Sequence, residues 1–371
     1  MSSSKLLQRP SRKASGSNEL LGFDLLFQLT YLSAISAAGI PRSQIFKLAA
    51  ELPSTAARYF YEVDRLAQAM NYQYAEACRI VGEAAKEPEA KSLLLRLSSA
   101  LGSGEREMDF LAEEAKVQAE AYGNIYEGKL EVLKKWTDAH AALIVSSVLI
   151  IVVAAISTVI WDMGIGFVAG LVGVMIAMAG LGTWLIYRMA PQEVKVLSGE
   201  AGRPSQKIPR TLFITLMPSS LVIASFLGLQ GVPLGIILIV VAAMLFPIGL
   251  AASRYDTRVS KMDSDISTFL RALGATSSAI GTTPGEALGR LDLRSMASLA
   301  TPVKNLHTLL LSRAKLERAW GRFVVETGSE LISRSVRVFL DGIGLGGDPE
   351  EVGDRASLLA MKVNFLRAKR K

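Results

Sequence analysis

The sequence predicts an all-α, polytopic membrane protein with two repeated cytoplasmic helical-bundle domains and about four transmembrane helices. Three observations lead to this fold class. Long apolar runs are separated from the charged residues, the parts on either side have apolar residues at helical spacing, and those two parts share glycines at a constant distance. We expect a disordered basic N-terminus at 1–18, a first helical domain at 19–140, a membrane block at 141–253 with a cytoplasmic loop at 188–210, and a second helical domain at 254–371.

Four runs in the membrane block contain no charged residue, and each has about the 20 residues that a helix needs to cross the hydrocarbon. They cover 141–161, 163–187, 211–229 and 232–253. The short loops at Asp162 and at 229–231 carry no Lys or Arg, whereas the central loop carries five, including Arg188 and Lys195. The positive-inside rule therefore places both termini and the central loop in the cytoplasm. We expect a multi-pass protein of the cytoplasmic membrane.

Small residues recur at helix-packing spacing in the second run. They are Gly166, Ala169, Gly170, Gly173 and Ala177. Packing within the chain is the favoured interpretation of this pattern, and a homodimer seam is the alternative. No run contains Asp, Glu, Lys, Arg or His. This absence argues against a coupled transporter, which usually has an ionisable group at membrane depth, but it leaves a passive pore open.

The composition argues against an enzyme. Cys78 is the only cysteine, which excludes an intrachain disulfide and a cysteine metal cluster, and two histidines are too few to suggest a zinc site. Residues 342–347 match G-x-G-x-x-G, but Asp348, Glu350 and Glu351 crowd the helix start where a pyrophosphate would bind. No Walker A motif occurs. We expect no catalytic site, no cofactor, no metal and no nucleic-acid partner.

The two helical domains contain three pairs of glycines, and the two members of each pair are 242 residues apart in sequence. The pairs are Gly39 with Gly281, Gly102 with Gly344, and Gly104 with Gly346. In the second domain Thr283, Pro284 and Glu286 resemble a capping box with proline at the first helical position. We therefore expect each glycine to end one helix just before the next begins. The constant offset predicts an internal repeat.

The two domains each carry a glycine followed by a proline near a first turn, and G-x-G with acidic residues later. In this they resemble the type II secretion system F domain. The layout of domain, membrane hairpins and domain resembles the inner-membrane platform proteins of type IV filament machines. Residues 130–161 are most similar to the archaeal branch, which includes archaellum and archaeal pilus platforms. Archaeal relatives often continue into further membrane helices, so a shortened member, half of a split pair and an incomplete chain all stay open.

Excess positive charge lies in the second domain. From residue 254 onward there are 19 Lys/Arg against 13 Asp/Glu, whereas residues before 141 have 17 against 18. Six basic residues of this domain are close in sequence, and three of them share one helix face at spacing i, i+3, i+7. They are Arg313, Lys315, Arg318, Arg322, Arg334 and Arg337. We predict a docking patch for an acidic partner surface; the alternative is a solvated face with local pairs such as Arg313 with Glu317.

The leading hypothesis is an inner-membrane platform protein of a type IV filament or type II secretion-like machine. The resemblance implies that its cytoplasmic domains engage a hexameric assembly ATPase and that its membrane helices receive pilin-like or archaellin-like subunits. A membrane transporter or channel subunit is the first alternative, and a membrane scaffold unrelated to filaments is the second. The sequence leaves open which filament is built, whether the protein dimerises, and which domain contacts the ATPase.

Overall fold

The computed structural model describes residues 18–161, 165–191, 195–197, 204–230 and 234–370, and this part of the chain is built from α-helices. In chain order they are α1 (Asn18–Ser36), α2 (Arg42–Ala50), α3 (Ala57–Ala69), α4 (Tyr74–Ala84), α5 (Pro88–Ser103), α6 (Glu107–Trp161), α7 (Ile165–Met189), α8 (Pro204–Leu229), α9 (Leu234–Ile280), α10 (Pro284–Ala287), α11 (Ala300–Leu311), α12 (Leu316–Thr327), α13 (Glu330–Gly344) and α14 (Pro349–Ala368). Two short 3-10 turns, Leu288–Arg290 and Leu293–Met296, lie between α10 and α11. The predicted disordered N-terminus lies almost wholly outside the described residues.

The described residues fall into two compact units. One unit draws on Met1–Ala119 and Val194–Phe365, and the other on Glu120–Glu193 and Leu366–Lys371. The first unit therefore combines most of both predicted helical domains with α8 and α9 of the predicted membrane block. The first domain consists of α1–α5 with the start of α6, and the second consists of the end of α9 with α10–α14.

Helix α1 lies at the centre of the core that the two domains share. Every residue from 21 to 36 is buried, and the helix contacts α2 on one side and α13 on the other. A helix that is covered on all sides is apolar all round. Leu25, Leu29 and Leu32 are accordingly at most 1% exposed. The few polar residues of α1 each need a partner, and those partners form the joint described below.

Helix starts in the two domains follow the same offset as the glycines. The starts at Arg42, Tyr74, Pro88 and Glu107 recur 242 residues later at Pro284, Leu316, Glu330 and Pro349. Backbone torsions follow the offset too. Gly39 and Gly281 have φ of 66° and 65°, and Gly104 and Gly346 have φ of 76° and 97°. Only a left-handed residue closes a helix in this way, and glycine adopts that conformation without a Cβ clash.

Gly102 and Gly344 depart from the expectation. Gly102 lies inside α5, Gly344 is the last residue of α13, and neither has a positive φ. The left-handed position is instead taken two residues later in each domain, by Gly104 and Gly346. The expectation that all six glycines end helices is therefore wrong for this pair. A helix end of this type uses one left-handed residue, so only one glycine of each G-x-G can serve.

Three helices of the described part are long and apolar enough to cross a membrane. The qualifying segments are Glu107–Thr158 in α6, Gly166–Met189 in α7 and Gly235–Ile280 in α9. Helix α6 runs from the first domain to Trp161 without a break, and it contains no proline. The third predicted span falls on α8, whose described apolar part, Phe213–Leu227, is shorter. Four spans therefore stay a prediction, and Asp162, the predicted first loop, lies outside the described residues.

Candidate partner-docking surface

The turn between α11 and α12 has an unusual backbone for the residue it contains. Arg313 has φ of 56°, in the left-handed region. The amide of Arg313 donates to the carbonyl of Leu310 at 3.0 Å, and the amide of Ala314 donates to that of Leu309 at 3.1 Å. These bonds close the end of α11. Glycine or asparagine occupies such a position at little cost, whereas a residue such as arginine is strained there by about 1–2 kcal/mol.

Four cations project from this turn and from the first turns of α12. Arg313, Lys315, Arg318 and Arg322 are all exposed. The salt bridges between described residues include none of the four, and the alternative pair of Arg313 with Glu317 is not among them. Two leucines on either side of the turn, Leu311 and Leu316, are also 70% and 54% exposed.

Together these six residues form what we call the basic surface: Leu311, Arg313, Lys315, Leu316, Arg318 and Arg322. Because its cations have no partner within the described part of the chain, their charge is available to another molecule. Exposed leucines beside them add apolar area that a bound partner would remove from water. An acidic protein surface with a few apolar residues has the matching chemistry.

Arg334 does not belong to this surface, which corrects the predicted six-residue patch. It is 8% exposed, and its guanidinium lies 2.6 Å from the Asp24 carboxylate and 3.2 Å from that of Glu330. The same group lies over the rings of Phe23 and Phe27, with its carbon 4.7 and 4.8 Å from their centres. A charge this deeply buried needs opposite charge around it, and α1 supplies that charge.

Arg337 is also removed from the predicted patch. It points to the same side of α13 as Arg334, its side chain is 18% exposed, and it pairs with Asp341 at 3.5 Å. Asp341 in turn accepts a hydrogen bond from the Tyr31 hydroxyl of α1 at 3.0 Å. Burial raises the pKa of Tyr31 far above its usual range and raises the pKa of Asp341, against the opposing charge of Arg337.

These contacts make α13 one half of a joint between the domains. Asp24 also accepts from the amide and the hydroxyl of Thr55, at 2.6 and 2.7 Å, so its second oxygen stays within the first domain. Arg355 of α14 donates to the Ser33 hydroxyl of α1 at 2.7 Å. We call Asp24, Tyr31, Glu330, Arg334 and Asp341 the buried joint. The sequence contained one signal for it, a lone aspartate inside the apolar run of α1.

The small residues of α7 do not pack against α6. Gly166, Ala169, Gly170, Gly173 and Ala177 are all exposed, and a Cβ on any of the three glycines would meet nothing within 4 Å. These glycines therefore make no close contact with α6, and packing elsewhere within the chain and the homodimer seam both stay predictions.

The close approach of α6 and α7 lies elsewhere. A Cβ on Gly182 would come within 2.1 Å of the His140 ring. His140 directly precedes the first uncharged run, and Gly182 lies five residues inside the end of the second. An ionisable ring therefore packs beside an apolar run that the sequence pattern describes as free of such groups.

Comparison with known proteins relates the chain to two archaeal proteins, both named flagella accessory protein J. The protein from Methanocaldococcus jannaschii is 23% identical over 355 residues, which is 91% of this chain and 63% of that protein. The one from Methanococcus voltae is 23% identical over 296 residues, 76% of this chain and 53% of that protein. No protein-family model and no solved structure matches. The chain thus spans less than two thirds of the curated relatives it matches, and it is similar to archaeal flagella accessory proteins along most of its own length.

Proposed function

We propose that this protein is a membrane platform for the assembly of an archaellum-like filament. The observation that carries the proposal is the way the helical domains continue into apolar helices. Helix α6 has 55 residues and runs from the first domain into an apolar segment, and α9 has 47 and runs from an apolar segment, which contains Pro247, into the second domain. A long helix without an internal proline, such as α6, is stiff enough to pass a movement of the domain to its apolar end. The similarity to two flagella accessory proteins supports the same function.

In this proposal the partner of the basic surface is a hexameric assembly ATPase, and the apolar helices receive pilin-like or archaellin-like subunits. Both termini and the central loop face the cytoplasm, and the chain crosses the membrane several times. The ATPase supplies the free energy, and this protein holds the ATPase and the filament subunits in position. Unpaired cations on α12 would attract an acidic ATPase surface and orient it, while Leu311 and Leu316 would be covered in the complex.

The proposal is tested by co-purifying the detergent-solubilised full chain with the secretion-type ATPase of the same genome while ATP turnover is measured. We expect binding that raises turnover and weakens with salt, because screening shortens the reach of surface charges to about 8 Å at physiological ionic strength. A folded protein that neither binds the ATPase nor changes its turnover would contradict the proposal. Solute flux through vesicles that contain the protein alone would favour the channel alternative instead.

A further inference from the structure

The described part of the central loop between α7 and α8 contacts the second domain at the junction of α12 and α13. Its described residues 195–197 lie alongside the junction of α12 and α13, where Val196 and Ser329 form an antiparallel bridge. The amide of Leu197 donates to the carbonyl of Gly328 at 3.0 Å, and the amide of Glu330 donates to the carbonyl of Lys195 at 3.1 Å. We call residues 195–197 the strap.

A side chain fixes the strap to a second element. The Lys195 ammonium lies 2.5 Å from the Asp256 carboxylate and donates to the Ser260 hydroxyl at 2.8 Å. Asp256 and Ser260 are one turn apart on α9, just after its apolar segment. The strap is therefore held by the backbone of the α12–α13 junction and by the side chains of α9.

The junction under the strap is itself tightly held. Gly328 closes α12 with φ of 69°, and the Ser329 hydroxyl accepts from the amide of Ile332 as the N-cap of α13. The same hydroxyl donates to buried Asp263 of α9. Glu330, next along the chain, pairs with Arg334 of the buried joint. The strap thus lies one residue away from the network that holds the two domains together.

Helix α12 connects this junction to the basic surface. Its first turns carry Lys315, Arg318 and Arg322, and its last carbonyls lead to Gly328 under the strap. Twelve helical residues at 1.5 Å each give a stiff element about 18 Å long. A partner that moves the start of α12 therefore moves its end, where the strap is bonded.

The strap meets α9 just after the apolar segment of that helix, at Asp256 and Ser260. We propose that the strap couples α12 to α9, so that occupation of the basic surface changes how firmly α9 is held just after its apolar segment. In the proposed platform this coupling would link the ATPase to an apolar helix mechanically. That role rests on the proposed function.

The test needs no partner protein, because coupling is reciprocal and can be observed by releasing the strap. Hydrogen exchange is measured on the full chain in lipid nanodiscs, for the wild type and for Lys195→Ala. We expect exchange about threefold faster or more at the α12–α13 junction, along α12 and on α9 around Asp256, with α4 and α5 unchanged. Lys195→Arg, which keeps the charge beside Asp256, should restore the wild-type rates.

The matched control is Lys116→Ala, which removes another exposed ion pair, that of Lys116 with Glu113 at 3.1 Å on α6. This variant should leave exchange along α12 and α9 as in the wild type. The proposal is overturned if Lys195→Ala changes exchange only within residues 195–197, or if Lys116→Ala gives the same pattern. An ATPase that fails to bind would refute the proposed function and leave this result intact, so the two failures are distinguishable.

Discussion

The α3–α4 turn of the first domain and the α11–α12 turn of the second each contain one left-handed residue at the corresponding position, but their exposed side chains differ. Asn71 and Arg313 lie 242 residues apart, and both have φ of 56°. Around Asn71 the exposed side chains are the neutral Met70 and Tyr72, 63% and 43% exposed. Around Arg313 they are four cations counting Arg313 itself, two leucines, Ser312 and a single anion, Glu317. Asparagine suits the left-handed conformation and arginine does not, so the second turn holds its charge at a cost in stability. Because the conformation of the turn disfavours arginine, we infer that Arg313 is there for its exposed charge.

Helices α5 and α13 differ in a parallel way. The positions of Glu330, Arg334 and Arg337 correspond to Pro88, Ser92 and Leu95, none of which carries a charge. Of these two helices, α13 contacts α1 of the other domain and carries the buried cation that pairs with Asp24. The two domains therefore have the same order of helices, whereas the residues at corresponding positions differ according to what each helix contacts.

The largest effect is expected from Arg334→Ala. The substitution leaves the buried carboxylates of Asp24 and Glu330 without their cation, which costs about 3–5 kcal/mol. We expect a large fall in the unfolding temperature of the detergent-solubilised protein. Ser92→Ala, at the corresponding position of α5, is the control and should change little. A shift for Arg334→Ala no larger than that of the control would contradict the buried joint.

Alkaline pH offers a second way to examine the joint. The pKa of Tyr31 is raised in the folded protein, so the unfolded chain releases this proton near pH 10 while the folded chain retains it. Folding stability therefore falls as pH rises above about 10, by up to about 1.4 kcal/mol per pH unit from this group. Tyr31→Phe should make the decline between pH 10 and 11.5 shallower, as measured by thermal unfolding. The exposed Tyr61→Phe should not, and equal slopes for both variants would argue against a buried Tyr31.

The smallest effect concerns the two turns. Arg313→Asn should relieve the left-handed strain and stabilise the protein by about 1 kcal/mol, while it weakens binding of the ATPase. Asn71→Arg should destabilise by a similar amount without creating a second binding surface, because the positions that correspond to Lys315, Arg318 and Arg322 are Gln73, Glu76 and Ile80. Thermal unfolding and ATPase titration would be run on both variants. A stabilised Arg313→Asn that binds as well as the wild type would remove Arg313 from the basic surface.

Local features of this protein could be predicted from its sequence because they depend on neighbouring residues. Apolar residues at helical spacing predicted helices on either side of the membrane block, and the long uncharged runs predicted apolar helices such as the end of α6 and α7. The G-x-G spacing marked the right turns but not which glycine is left-handed, since that depends on where the helix hydrogen bonds end.

Contacts between distant residues could not be predicted in this way. Asp24 and Arg334 are 310 residues apart, and nothing local to either indicates the other. A basic cluster along the sequence therefore contained both exposed and buried cations. His140 was missed for the same reason, because its neighbour Gly182 lies on another helix. The strap consists of three residues of the central loop. Its contact with the second domain is made by the backbone, so the identities of these residues do not indicate it.

The central claim is that the cations of α12 engage an assembly ATPase. The most direct test is the affinity of the full chain for that ATPase, compared between Arg318→Glu/Arg322→Glu and Lys47→Glu/Lys91→Glu. The control reverses two exposed charges of the first domain. We expect the α12 variant to bind about tenfold more weakly or worse, with a smaller salt dependence, and the control to bind as the wild type does. Equal affinity for both variants, with both folded, would contradict the account.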